Sequence, residues 1–192
     1  MHPVMMEAFE RLLAPLSVRG DVLEIGASPN HPTLLGLGGL DGAAIGPGWE
    51  ILQRDAHDLS MFPDGAFDLV ASNAMLEHDP RFWRTLAEAR RVLAPGGWLA
   101  LGVPAFGLGG QSPFARTVRR LAGLPLIGWR WRRESEALWA SSLTLGLHGF
   151  PGDYYRFSEQ AMREVLLEGM KDMRVISLLT PERLIGIGRK PG

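Results

Sequence analysis

The 192-residue chain contains no cysteine. Disulfides, cysteine-ligated zinc and a thiolate nucleophile are thereby excluded, and a reducing compartment fits. Charge of one sign is also missing: 20 Lys and Arg face 21 Asp and Glu, for a formal net charge of -1. A general nucleic-acid binder usually carries a clear basic excess, so no nucleic-acid partner is expected. No uncharged apolar run is long enough to span a bilayer, so no stable membrane insertion is expected. The opening stretch MHPVMMEAFERLLAPL interrupts its apolar residues with Glu7, Glu10 and Arg11. It lacks the basic start and unbroken apolar run of a secretion signal, which points to a cytoplasmic protein. The histidines show no ligand spacing, so no metal site is expected.

What is present is a 46% hydrophobic chain, enough for one sizeable core and a single domain over residues 1–192. Met6, Phe9, Leu12 and Leu13 recur at helical spacing. Asp21–Gly26 (DVLEIG) reads as a buried strand ending in glycine. A Gly/Pro-rich stretch follows, with short apolar runs at Ala43–Ile45 and Ile51–Gln53. The turn Pro63-Asp64-Gly65 introduces a strand at Phe67–Ala71. A helix starting at Asp79 or Pro80 carries Phe82, Leu86, Ala89 and Leu93 on one face, and Pro95-Gly96-Gly97 stops it. Trp98–Val103 is the next buried strand. Ser158 can cap a helix running to Gly169, and Met173–Leu179 and Leu184–Gly188 read as a closing hairpin. Strands alternating with helices imply a mostly parallel sheet covered on both faces. The ligand crevice of such a sheet lies at the carboxyl ends of its strands.

Four segments sit where such a crevice needs them. Glu24-Ile25-Gly26-Ala27-Ser28-Pro29-Asn30 places glycine where the backbone must turn sharply and approach a ligand, although an ordinary strand-to-loop turn looks the same. Asp55 in Arg54-Asp55-Ala56-His57-Asp58-Leu59 can accept a hydrogen bond from an exocyclic amine, or merely cap a turn. PDGAFDLV leads into Ser72-Asn73-Ala74-Met75-Leu76-Glu77-His78, and RVLAPGGWL follows the helix.

Taken together, DAHDLSMFPDGAFDLVASNAMLEH and LAEARRVLAPGGWLALGVP resemble the central block of the class I S-adenosylmethionine-dependent methyltransferases. The resemblance covers residues 21–104 and extends loosely through GDYYRFSEQAMREVL (152–166), which is similar to a stretch of some bacterial members. It implies an α/β fold, a Rossmann-like three-layer sandwich whose seven-stranded sheet is mostly parallel with one antiparallel strand. It also implies S-adenosyl-L-methionine as cofactor. By the same resemblance Glu24, Gly26, Ala27, Ser28 and Asn30 fall on the donor loop, with Ser28 and Asn30 where its second and third glycines usually stand. Asp55 and Ala56 match the adenine-side pair, and Asn73 matches a position lining the donor pocket. His78 closes the E-H pair of the strand-to-helix segment, where it serves either chemistry or packing. Gly46 falls in the slot of the family's ribose-binding acid, with Asp41 and Glu50 nearby.

Residues 105–150 leave the common pattern, in the place where an insertion commonly covers the acceptor side. They gather Arg116, Arg119, Arg120, Arg130, Arg132 and Arg133 with Trp129, Trp131 and Trp139. Three readings stay open: a lid that binds an anionic substrate, a segment that touches a membrane surface or partner, and a solvated face. The tryptophans could also bury in a homodimer. His148 and Asp153 are candidate catalytic bases, with His78 third, and Tyr154, Tyr155 and Arg156 are candidate substrate contacts. The same cluster could instead lock the insertion onto the core. The leading expectation is methyl transfer to O or N of a small-molecule or glycan acceptor. The alternatives are a degenerate methyltransferase fold acting as a non-catalytic binding or assembly module, motivated by the altered loop and absent ribose acid, and a nicotinamide-dependent Rossmann enzyme, whose GxGxxG this chain replaces by GASPNH.

Overall fold

The computed structural model describes residues 3–16, 18, 20–26, 55–106, 152–179 and 182–192. The expected short runs at 43–45 and 51–53 and the insertion, with all its arginines and tryptophans and His148, lie outside the described residues. In chain order the elements are helix α1 (Pro3–Leu13), a 3-10 turn (Ala14–Leu16), strands β1 (Val22–Ile25) and β2 (Phe67–Asn73), a second 3-10 turn (Leu76–His78), helix α2 (Phe82–Val92), strand β3 (Leu93–Pro104), a short helix α3 (Glu159–Ala161) that widens into a π turn (Met162–Leu166), and strands β4 (Lys171–Leu179) and β5 (Glu182–Arg189).

The described strands form one five-stranded sheet in the order β1-β2-β3-β5-β4. β1, β2 and β3 run parallel, whereas β5 is antiparallel to both β3 and β4. This is the expected mostly parallel sheet with a closing hairpin. Alternate residues of each strand serve opposite faces. Leu69, Ala71, Ala100, Ile185 and Ile187 meet Phe9, Leu12 and Leu13 of α1. Val70, Leu99, Leu101 and Val103 meet Leu86, Ala89 and Val92 of α2 and Met162 and Leu166 beyond α3. The sheet is thus the middle of three layers. Burial of Phe9, Leu12 and Leu13 follows the spacing read from the sequence, with Met5 and Ala8 joining them; the Met6 side chain lies outside the described residues.

Two boundaries differ from expectation. α2 ends at Val92, and Leu93 is the first residue of β3 rather than the last of the helical face. Lys190 Nζ donates to the carbonyls of Arg90 and Leu93, satisfying the helix end there. Pro95-Gly96-Gly97 therefore lies inside β3. The register steps from Phe67↔Leu93 to Leu69↔Trp98, so residues 94–97 arch out as a bulge, with Gly96 at φ +78°. After Ser158, whose Oγ accepts from the Ala161 amide at 3.0 Å, the helix lasts only three residues. The π turn then brings the Leu167 amide to the Met162 carbonyl at 2.9 Å.

Candidate functional site

The carboxyl ends of β1, β2 and β3 lie on one rim. Glu24 is half-buried on β1, paired in register with Ala71. Gly26 ends that strand with φ +85°, a left-handed conformation that a side chain resists. A Cβ on Gly26 would stand 2.8 Å from the Cβ and Cγ of Met75, so the turn after β1 touches the segment after β2. Asn73 ends β2, and Ala74 follows with φ +51°. The Asn73 Oδ1 is buried and, among the described residues, accepts no hydrogen bond. A Cβ on Gly102 of β3 would stand 2.4 Å from that oxygen and 2.7 Å from the Phe9 ring, so this glycine makes room for both. An orphaned acceptor beside two glycine-made spaces, at the carboxyl ends of parallel strands, is a place where a ligand can supply the missing donor.

Asp55 and Ala56 reach the same region through His57. The Asp55 carbonyl accepts from the Asp58 amide at 3.0 Å, closing a turn. Its side chain is 68% exposed, and its Oδ1 accepts from the His57 amide at 2.9 Å. The His57 Nε2 lies 2.9 Å from both oxygens of Asp79, just past the second 3-10 turn. Asp79 also accepts from Thr85 Oγ1 at 2.7 Å and from the Arg81 amide at 2.8 Å. Burial by itself would raise the Asp79 carboxyl, but the bonds from Thr85, Arg81 and His57 outweigh it and hold it below its ordinary value. Asp79 is therefore ionised and His57 Nε2 is the donor. The same turn is gripped from α2. Arg91 donates to the carbonyls of Leu59 and Phe62, and Glu88 accepts from the Leu59 amide. The Arg of RVLAPGG thus fastens the segment after Asp55 to the helix.

The segment 152–157 threads along this rim. The Tyr154 amide donates to the Glu77 carbonyl at 2.8 Å and the Phe157 amide to the Pro104 carbonyl at 3.0 Å. Tyr155 Oη donates to the Pro80 carbonyl at 3.0 Å, and its ring meets Phe82 edge-on at 5.1 Å. His78 is half-buried, with Nδ1 3.3 Å from the Gly152 carbonyl. Asp153 is buried and ion-paired with Arg156. Tyr154 is 58% exposed. Glu77 is fully buried, and among the described residues neither carboxylate oxygen has a hydrogen bond. Burial pushes its carboxyl above its ordinary value, against the pull of nearby His78 and Arg183.

Among the sequence-derived candidates, the structure gathers Glu24, Gly26 and Asn73 at the strand ends. Asp55 and Ala56 lie in the turn that His57 ties to Asp79. Asp153, Tyr154, Tyr155 and Arg156 form the adjoining strap, and His78 faces it at the Gly152 carbonyl. Ala27, Ser28, Asn30, Asp41, Gly46, Glu50 and His148 lie outside the described residues. Sequence reading assigned no site role to His57, Glu77 or Asp79. Only the short interval between Asp55 and His57 could have signalled the first, and burial of the other two is not visible in one dimension. Among the described residues, no group of side chains has metal-ligand geometry and no helix is long and apolar enough to cross a membrane. A shallow hollow lined by Asp68, Gly97, Trp98 and Arg189 lies at the opposite end of β2 and β3 and has no part in this rim.

Residues 38–101 match a family described as a methyltransferase domain. A 27-O-demethylrifamycin SV methyltransferase of Amycolatopsis mediterranei is 48% identical over 48 residues, 25% of this chain and 17% of that protein. The match thus spans less than a fifth of that relative's length. Among solved structures, a possible exported protein from Bordetella parapertussis superposes with a TM-score of 0.56 at 18% identity, covering 98% of this chain and 67% of the other. A SAM-dependent methyltransferase from Thermotoga maritima, a possible histamine N-methyltransferase, superposes with a TM-score of 0.53 at 16% identity, covering 96% and 89%. At such identities the two structures speak for the fold alone. The match to a methyltransferase domain covers about a third of the chain, residues 38–101 of 192, and takes in strand β2, helix α2 and most of β3.

Proposed function

We propose that this chain is an S-adenosylmethionine-dependent methyltransferase that methylates O or N of a small molecule or glycan. The observation that carries the reading is the rim itself: Gly26 in a left-handed turn against Met75, beside the orphaned buried oxygen of Asn73. Glu24, Gly26, Ala27, Ser28 and Asn30 are assigned to the methionine end of the donor, Asp55 and Ala56 to its adenine, and Asn73 to the floor between them. When bound, the donor supplies an electrophilic methyl group on a sulfonium. The chain's own contribution is to orient the acceptor, exclude water and take the acceptor's proton.

For that proton the candidates are His148, Asp153 and His78. Asp153 commits its carboxylate to Arg156 and His78 directs Nδ1 at the Gly152 carbonyl, which favours His148 as the base. Tyr154, Tyr155 and Arg156 are assigned to the acceptor side, with residues 105–150 as its lid. The complete sheet is taken to have seven strands. A cytoplasmic setting and a homodimer that buries tryptophans of the lid complete the reading. Calorimetric titration with S-adenosylmethionine tests it. Saturable binding with Kd between about 1 μM and 1 mM is expected, in the range where enzymes commonly hold their substrates, and no heat at millimolar donor refutes it.

A further inference from the structure

We infer that His57 is a positioning residue for the donor's adenine, acting by locking the Asp55 carboxylate in one orientation; the inference rests on the donor reading above. An aspartate with a 68% exposed side chain would ordinarily sample several rotamers. Here Oδ1 is held by the amide of His57 at 2.9 Å, and the ring's Nδ1 lies 3.4 Å from the same oxygen. Among the described residues, no hydrogen bond reaches Asp55 Oδ2. One oxygen is pinned and the other is offered to solvent.

The pin is fixed in turn at its far end. The His57 side chain is only 14% exposed, and Nε2 donates across both oxygens of Asp79 at 2.9 Å. Asp79 cannot turn away, because Thr85 Oγ1 and the Arg81 amide hold it. The imidazole is therefore a rigid strut between the start of α2 and the turn carrying Asp55, and the strut fixes the amide that orients the carboxylate. Nothing else among the described residues holds the Asp55 side chain. A carboxylate oriented in advance rewards a ligand that brings an N–H donor and repels one that brings an acceptor. Adenine carries an exocyclic amine at the position where hypoxanthine carries a carbonyl oxygen, so the strut acts on base discrimination.

The test compares S-adenosylhomocysteine with S-inosylhomocysteine by calorimetry on the wild-type chain and on H57A, with far-UV circular dichroism to verify folding. The wild-type chain is expected to prefer the adenosyl ligand by at least about tenfold, and H57A to lose most of that preference while its affinity for the inosyl ligand stays within about twofold. Equal weakening of both ligands, or an unchanged preference, overturns the inference and leaves the donor reading standing. A wild-type chain that binds neither ligand overturns the donor reading and this inference with it. A measurement without mutation covers the case of an unfolded variant: the ring resonances of His57 should shift on saturation with the adenosyl ligand and remain in place with the inosyl one. Equal shifts with both ligands reject the assignment.

Discussion

Replacing Gly26 by alanine tests the rim most directly. Two separate costs are expected. Gly26 sits at φ +85°, and an L-residue held in left-handed backbone loses about 1–2 kcal/mol. The new methyl would also stand 2.8 Å from the Cβ and Cγ of Met75, well inside contact distance. Met75 is itself packed against the main core cluster, so its Cβ yields only by moving the segment after β2, and overpacking of this kind costs about 1–3 kcal/mol. Together G26A should lose roughly 2–5 kcal/mol, part of it shed if the turn relaxes. Urea denaturation measures the sum, and the cycle with M75A separates its parts. Truncating Met75 removes the clash but leaves the backbone cost, so the double variant should recover about 1 kcal/mol or more relative to additivity. The same variant should bind S-adenosylmethionine at least about tenfold more weakly. A G26A chain within about 0.5 kcal/mol of the wild type, or strict additivity with M75A, would refute the close approach of the two turns.

Three further outcomes follow from the same geometry. E77Q should be more stable than the wild type at neutral pH: burial raises the Glu77 carboxyl in the folded chain above its ordinary value of 4.5, so wild-type stability falls as pH rises past that value, and thermal melts should show the advantage of E77Q vanish below about pH 4.5. D79A should destabilise by about 1–3 kcal/mol in urea, because it orphans the buried Thr85 hydroxyl and removes the acceptor of His57; a T85V/D79A pair should cost less than the two single changes added together. G102A should displace Asn73 and Phe9, and calorimetry should find donor affinity lowered by about tenfold with a smaller loss of stability than G26A, since Gly102 has no positive φ to forfeit.

Much of the fold could be read from local chemistry. DVLEIG, FDLVA and WLALGV are apolar runs of strand length, and they become the three parallel strands because a sheet covered on both faces needs such runs. Ser158 caps α3 as read, since its hydroxyl can meet a free amide without help from elsewhere. The misreadings share one cause. Leu93 keeps the helical spacing of Leu86 and Ala89, yet it joins β3 because Lys190, nearly a hundred residues later, supplies the donor that ends α2. The helix after Ser158 widens at Met162 although nothing in EQAMREVL announces it. The sharp turn at Gly26 was legible because its residue type limits what the backbone can do. Asp79 looked like a helix start, and the bonds of its carboxylate to His57 and Thr85 exist only after folding.

The strand order has a consequence for biosynthesis. β3 gains its second neighbour, β5, only once Glu182–Arg189, the last described strand in chain order, has left the ribosome. Until then, Leu99, Leu101 and Val103 lie on a strand with one open edge, the type of surface on which nascent chains stick to one another. Expression should therefore depend on chaperone holding during synthesis, and a stop codon placed shortly before Glu182 should send the product to inclusion bodies.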